Sequence, residues 1–336
     1  MKQPPIQSTP VGAFRFNTDI SKLEYYDGNQ WVNVTSTSPE AQTGGTRALS
    51  AGGGTPSVLT LIEYANIDTT GNFADFGNIG AARNEAKGCA SRTRGIIAGG
   101  YYDGSDRNDI YYVTFATTGE TADSLGNLGD NVSEHSALSS STRGIFAGGK
   151  PAERNTIEYI TIASTGNAKL FGELSYSDAT GSMGAASPTR GIFAGGSPSP
   201  IEDAINYITI STLGNSADFG NLTDSRYSGG NGSNAVRAVF GGGWSPGHTD
   251  VIDYITMATI GDATDFGNLS LSRYLPGGAA SPTRAVFMGG HRNPSPMTDV
   301  VDYVQIMTTG TAADFGDLSG SRASVAGCSN GHGGLG

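Results

Sequence analysis

The sequence predicts an all-β chain made of six repeated units, each holding four short strands, and three observations carry that reading. The octapeptide Thr-Arg-Gly-Ile-Phe-Ala-Gly-Gly stands at Thr142–Gly149 and again at Thr189–Gly196, with a near copy at Thr93–Gly100. Glycine makes up 51 of 336 residues, without a collagen-type period, which suits thin, turn-rich structure. Short apolar or alternating runs end in glycine, serine, proline or aspartate, and no long run carries a helical period.

The repeat holds in four registers. Arg47, Arg94, Arg143, Arg190, Arg237 and Arg284 are spaced by 47, 49, 47, 47 and 47 residues. A Gly-Gly pair follows each, from Gly52-Gly53 to Gly289-Gly290. A tyrosine then recurs (Tyr64, Tyr112, Tyr159, Tyr207, Tyr254, Tyr303), and after it a glycine (Gly71, Gly119, Gly166, Gly214, Gly261, Gly310). Within the unit Tyr274–Leu318, YLPGGAAS supplies a small-residue strand and RAVFMGG an apolar strand stopped by glycines. DVVDYVQIMTTG then alternates up to a polar turn, and ADFGDL forms the last short segment. Four strands in a period of this length are the signature of β-propeller blades.

This segment order resembles the kelch repeat, in which a strand ends in Gly-Gly, a variable loop follows, and an alternating strand carries a tyrosine. An arginine near the start of the next unit completes the likeness, here Arg83, Arg226, Arg273 and Arg322. The resemblance runs from Thr46 to about Asn330. It departs in the fourth strand, where Asp-Phe-Gly stands in place of the kelch tryptophan (Asp75-Phe76-Gly77, Asp218-Phe219-Gly220, Asp265-Phe266-Gly267, Asp314-Phe315-Gly316). The first unit lacks a small-residue strand and the last leaves one over: Arg322 to Cys328 matches Arg83 to Cys89 in register. The expected fold is therefore a six-bladed kelch-like β-propeller with four-stranded blades, at residues 46–336, closed by the C-terminal strand. The small-residue strands should be innermost, with Cys89 and Cys328 as buried thiols on neighbouring blades.

Residues 1–35 differ. VGAFRFNTDISKLEYYDGNQWVNV reads as three strands with turns at Thr18-Asp19 and Asp27-Gly28-Asn29. Gly12, Arg15, Phe16, Asn17, Glu24, Tyr26, Asp27, Gly28 and Trp31 match a short element that resembles one common in bacteriophage tail and fibre proteins. The propeller units also resemble repeats in structural proteins of marine phages. Residues 36–45 read as a linker to the propeller.

The formal charge of −11 argues against a nucleic-acid or anionic-membrane surface. No apolar run is long enough to span a bilayer, and the first residues lack the apolar core of a secretory signal. Two cysteines make no disulfide framework. The four histidines (His135, His248, His291, His332) lack metal-ligand spacing and read as isolated surface or turn residues. Asp-Phe-Gly recurs without a kinase phosphate loop and reads as a structural turn. Asp103 to Asp109 reads as a solvated loop, and no acid pair stands out for glycoside hydrolysis. No catalytic residue, metal site or cofactor is expected.

The segments after Gly-Gly vary while the framework repeats. Strand direction puts them on one face, beside the loops that follow Asp-Phe-Gly. Tyr101, Tyr102, Trp244, His248, His291 and Arg292 are the candidates there for sugar stacking or protein contact. The two phage resemblances imply a non-enzymatic virion structural protein of tail-fibre or appendage type, assembled in the host cytoplasm. Its N-terminal segment would hold it to other virion proteins or to its own copies. Its head would recognise a host-surface glycan or receptor, or decorate the particle. Analogy with phage fibres implies a homotrimer, although residues 1–45 carry no heptads. The alternatives are a propeller enzyme or lectin acting on host surface polysaccharide, which needs clustered acids at one face, and a cellular kelch-like interaction module.

Overall fold

The computed structural model describes residues 9–18, 22–33, 46–119, 123–151, 154–176, 179–197, 200–292 and 297–335. The chain divides into two compact units, 1–44 and 45–336, and no α-helix occurs among the described residues.

In the N-terminal unit, Phe14–Asn17, Lys22–Tyr26 and Trp31–Asn33 form an antiparallel sheet in which Arg15 faces Glu24 and Tyr26 faces Trp31. The Arg15 guanidinium lies 4.2 Å above the Trp31 ring and 2.6 Å from Glu24, and the Tyr26 and Trp31 rings are 5.5 Å apart. Asp27 Oδ1 accepts the amides of Asn29 and Gln30, at 2.8 and 2.7 Å, which closes the expected turn. The other turn, at Thr18-Asp19, and the linker at 36–45 reach outside the described residues.

The second unit holds six four-stranded antiparallel sheets, each in the order small-residue strand, Arg strand, Tyr strand, Phe-Gly strand, with Leu125-Gly126 in place of Phe-Gly in the second. The third, for example, runs Ser136–Ser139, Arg143–Ala147, Thr156–Thr161, Lys169–Glu173. The first takes its small-residue strand, Ala326–Ser329, from the far end of the chain; Cys328 pairs with Leu49. The Asn330 side chain accepts the Arg47 amide at 2.8 Å, and the Asn330 amide bonds back to the Arg47 carbonyl. Apolar clusters fill the space between consecutive sheets. Leu49, Ile62 and Phe76 of the first sheet meet Ile97, Val113 and Phe115 of the second, and five further clusters repeat the arrangement. The last of them joins Phe315 and Val286 of the sixth sheet to Ala48 and Ile67 of the first.

Recurring polar bonds cross the same junctions. The arginine of each second strand lies over its own sheet's tyrosine at 4.4–5.0 Å and donates from Nη1 to a carbonyl of the next sheet. Arg94 reaches Ile162 O at 2.9 Å, Arg143 Ile210 O at 2.8 Å, Arg190 Met257 O at 2.9 Å, and Arg284 Ile67 O at 3.0 Å; Arg47 reaches Phe115 O. Farther out, each Thr-Thr-Gly-type turn donates its glycine amide to the carbonyl before the Phe-Gly glycine of the preceding sheet, as Gly261 does to Phe219 and Gly71 to Phe315, both at 2.8 Å.

Asp-Phe-Gly lies in the fourth strand, where the segment order places it, and is not the structural turn also expected of it. Thr264–Asn268 is one such strand, with a bulge at Phe266, where Ile252 faces Gly267 and Asp253 faces Asp265. The phenylalanine is buried and meets the tyrosine edge-on at about 6 Å, as Phe266 and Tyr254 do. The glycine is fixed by two demands: Gly267 has φ +142, and a Cβ there would stand 2.4 Å from the Gly310 carbonyl of the next sheet. The aspartate is exposed, which is why other units dispense with it. The segment Asp103 to Asp109 also differs from expectation: Tyr101–Tyr102 and Ser105–Asp106 form a short hairpin turning at Asp103-Gly104, and Asp109 lies 3.4 Å from Arg83.

The arginines that precede the small-residue strands are buried ion-pair partners. Arg226 meets Asp253 at 2.9 Å, Arg273 meets Asp302 at 2.9 Å, and Arg322 meets Glu63; all six side chains are at most 2% exposed. The acid directly precedes the repeat tyrosine. Where the acid is replaced by Tyr111, Arg83 lies 4.6 Å over its ring. Where the arginine is replaced by Val132, Glu158 is served by Arg154 at 2.7 Å and by the Gly129 amide at 2.9 Å. Where Ala179 replaces the arginine, Asn206 replaces the acid, and its side-chain oxygen accepts from Ser175 and Ser216. Asp253→Ala, which strands Arg226 without water, should cost about 3–5 kcal/mol, whereas Asn206→Ala strands no charge and should cost about 1–2 kcal/mol. Urea unfolding of both variants at neutral pH measures the difference.

Candidate functional site

One face of the repeat unit carries every candidate residue. The segment after each Gly-Gly pairs with the segment before a small-residue strand: Asn84 bridges Tyr101, Ser133 bridges Lys150, Thr180 bridges Ser197, Tyr227 bridges Trp244, and Tyr274 bridges His291. The variable loops and those after Asp-Phe-Gly therefore lie side by side.

Trp244, His248 and His291 come together, and Tyr274 completes the cluster. His248 stacks on Tyr274 at 4.9 Å and 17°, Trp244 meets both rings edge-on at 5.1 and 5.6 Å, and His291 sits 5.2 Å from Tyr274. Burial, and then His291, hold the His248 imidazole below its ordinary pKa, which favours its uncharged form. Tyr101 and Tyr102 are exposed on their hairpin and make no ring contact with this cluster among the described residues. Arg107 lies 5.8 Å over Tyr102. Arg292 is half-buried, close enough to Arg273 to oppose its charge.

The histidines depart from the expected isolated surface positions. His135 is 1% exposed and edge-on to Phe146, and burial pulls its pKa down to about 3. His332 lines a cavity of about 40 Å³ enclosed by all six small-residue strands together with Cys89 and Cys328. Its Nε2 donates to Ala90 O at 2.9 Å, and its Nδ1 accepts the Gly334 amide at 3.1 Å. A 3₁₀ turn at Gly333–Leu335 follows, packed on the third, fourth and fifth small-residue strands. Both cysteines are free and buried, and burial pushes their thiols up, Cys328 to about 12.

A charged group at the same face escaped the sequence reading. Glu85, Glu134, Gly181, Ser228, Leu275 and Ser324 occupy equivalent places, all with φ between 48° and 69°. Their amides and carbonyls bond in succession. Glu134 donates to Glu85, Gly181 to Glu134, Ser228 to Gly181, Leu275 to Ser228, Ser324 to Leu275, and Glu85 to Ser324, at 2.7–3.2 Å. Two carboxylates thus leave adjacent positions of this series. Lys150 bonds Glu134, and Lys87 lies within electrostatic reach of both acids. Burial, and then Glu134, raise the Glu85 pKa. Tyr227 and Tyr274 are raised by burial first and by Glu134 next, which links the acids to the aromatic cluster. The only advance signal was positional: both glutamates fall at the same offset before the small-residue strand, where the other units carry unrelated residues.

No group of three or more His, Cys, Asp or Glu is placed to hold a metal among the described residues, and no described helix is long and apolar enough to cross a membrane. No protein-family model matches the chain, and neither does any curated protein.

Protonating His332 would set a second N–H against the Gly334 amide. Its folded pKa of about 4, and that of His135, lie below the ordinary 6.5. The unfolded chain therefore binds more protons between those values, and stability should fall as pH drops from about 6.5 toward 4. His332→Gln, which keeps a donor for Ala90, should flatten that fall by about half, as read by urea midpoints across the pH range.

Proposed function

We propose that the six sheets are the blades of a six-bladed, kelch-like β-propeller, and that this head serves a bacteriophage virion structural protein of tail-fibre or appendage type. Supporting the propeller is the way each recurring bond series returns to its starting sheet: Arg284 to Ile67, Gly71 to Phe315, Glu85 to Ser324. Behind the virion role stands the N-terminal unit, where Arg15, Glu24, Tyr26, Asp27 and Trp31 of the fibre-like pattern all make the contacts that hold its sheet. The head recognises a host-surface glycan through the loop face. One observation carries this: the rings of Trp244, His248, Tyr274 and His291 gather on the face whose loops vary most, beside carboxylates and ammonium groups that suit hydroxyls.

Glycan-array binding by the full chain tests the reading. Trp244→Ala and Tyr274→Ala should each weaken retained binding about tenfold or more, while Tyr102→Ala leaves it near wild type. Absence of binding to any glycan defeats the recognition role, and absence of the chain from imaged particles defeats the virion role. A second reading, cleavage of that glycan, is favoured by the acid pair Glu85 and Glu134. Release of reducing ends by the wild type and its loss in Glu85→Gln would establish it.

A further inference from the structure

We infer that the mouth formed by Glu85, Lys87, Glu134, Lys150, Tyr227 and Tyr274 is a subsite for a single uncharged, hydroxyl-rich sugar residue, an inference that rests on the glycan reading above. Four charges meet there, two carboxylates and two ammonium groups, and they sum to zero. A ligand carboxylate would face Glu85 and Glu134, and a ligand ammonium would face Lys87 and Lys150. Either would leave a charge uncompensated in a partly desolvated site, which is costly. A sugar hydroxyl avoids both costs, since it donates to a carboxylate and accepts from an ammonium group.

The hydrogen-bonding groups of the mouth are not used up within the chain. The Lys87 ammonium makes no ion pair or hydrogen bond among the described residues, although both acids support its charge. Ser136 and Ser228 are each 1% exposed, and their hydroxyls have no partner. The Ser136 hydroxyl lies against Gly184, where a Cβ would stand 2.7 Å from it, and Gly184 lines the small cavity that Lys87, Asn231 and Pro276 also line. The Ser228 hydroxyl lies against Gly181 in the same way, at 2.5 Å. That cavity is about 30 Å³, room for one hydroxyl or hydroxymethyl group and not for a ring. A sugar ring would therefore rest outside it, with one substituent inserted beside Lys87. Tyr274 belongs both to the mouth and to the Trp244 cluster, which would take the next sugar residue.

Calorimetric titration of the full-length protein with neutral methyl hexosides, the matching methyl uronides and the amino sugars tests this without any variant. Neutral hexosides should bind at least about tenfold more tightly than both charged series. Tighter binding of a uronide or an amino sugar overturns the inference. Glu85→Gln and Lys87→Met should each weaken hexoside binding about tenfold, with melting temperatures checked against wild type. If array binding is lost in Trp244→Ala yet unchanged in both mouth variants, the subsite is wrong and the glycan reading stands. If the wild type binds no glycan at all, the glycan reading itself fails.

Discussion

Every junction in the repeat unit is riveted by one arginine shared between two sheets. Its guanidinium stacks on a tyrosine of its own sheet, worth about 0.5–1 kcal/mol at a half-exposed site, and donates to a carbonyl of the next. The two partners fix distance and angle together. A sheet cannot slide past its neighbour without losing both. The apolar clusters supply most of the stabilisation by burial, but apolar contact is indifferent to small shifts. The arginine, the Phe-Gly glycine and the left-handed residues set the register, and the loop face inherits its geometry from them.

This explains how much of the molecule was legible in the sequence. Arg47 to Arg284 could be counted because stacking on a ring while donating to a carbonyl of the next sheet suits a guanidinium and not the other side chains. The carbonyls they bind could not, since a backbone acceptor has no residue type. Tyr64 and its equivalents were visible as a register, yet their Phe partners sat in a triplet whose polar first and permissive third residues imitate a turn. The glycine there answers a close approach by the next sheet, a long-range demand that local propensity cannot express. The strand Ala326–Ser329 was found because its residues match Lys87–Ala90 in register, so repeat arithmetic stood in for tertiary information.

The candidate site was legible only where it was chemically loud. Trp244, His248 and His291 stood out as aromatic residues in variable loops. Tyr274 was hidden by its membership of a small-residue stretch, and Glu85 and Glu134 by positions whose other occupants are Gly181, Ser228, Leu275 and Ser324. Tyr101, Tyr102 and Arg292 met the same compositional test as Trp244, and their ring and charge contacts lie elsewhere. His135 and His332 show the opposite failure. A lone histidine looks like a surface residue until its neighbours are known, and here one is core and the other sits in the wall of an internal cavity.

The first sheet is assembled from segments 283 residues apart, as measured between Arg47 and Asn330. While the chain emerges from the ribosome, Arg47–Ala51 and Leu61–Asn66 are made early and must wait, with one edge unpaired, until Ala326–Ser329 arrives. Local hairpins can form at once, but the last partner comes at high contact order. Truncated translation products would thus carry a bare strand edge, the feature that invites pairing with other chains. Synthesis through Ser329 becomes a checkpoint for solubility.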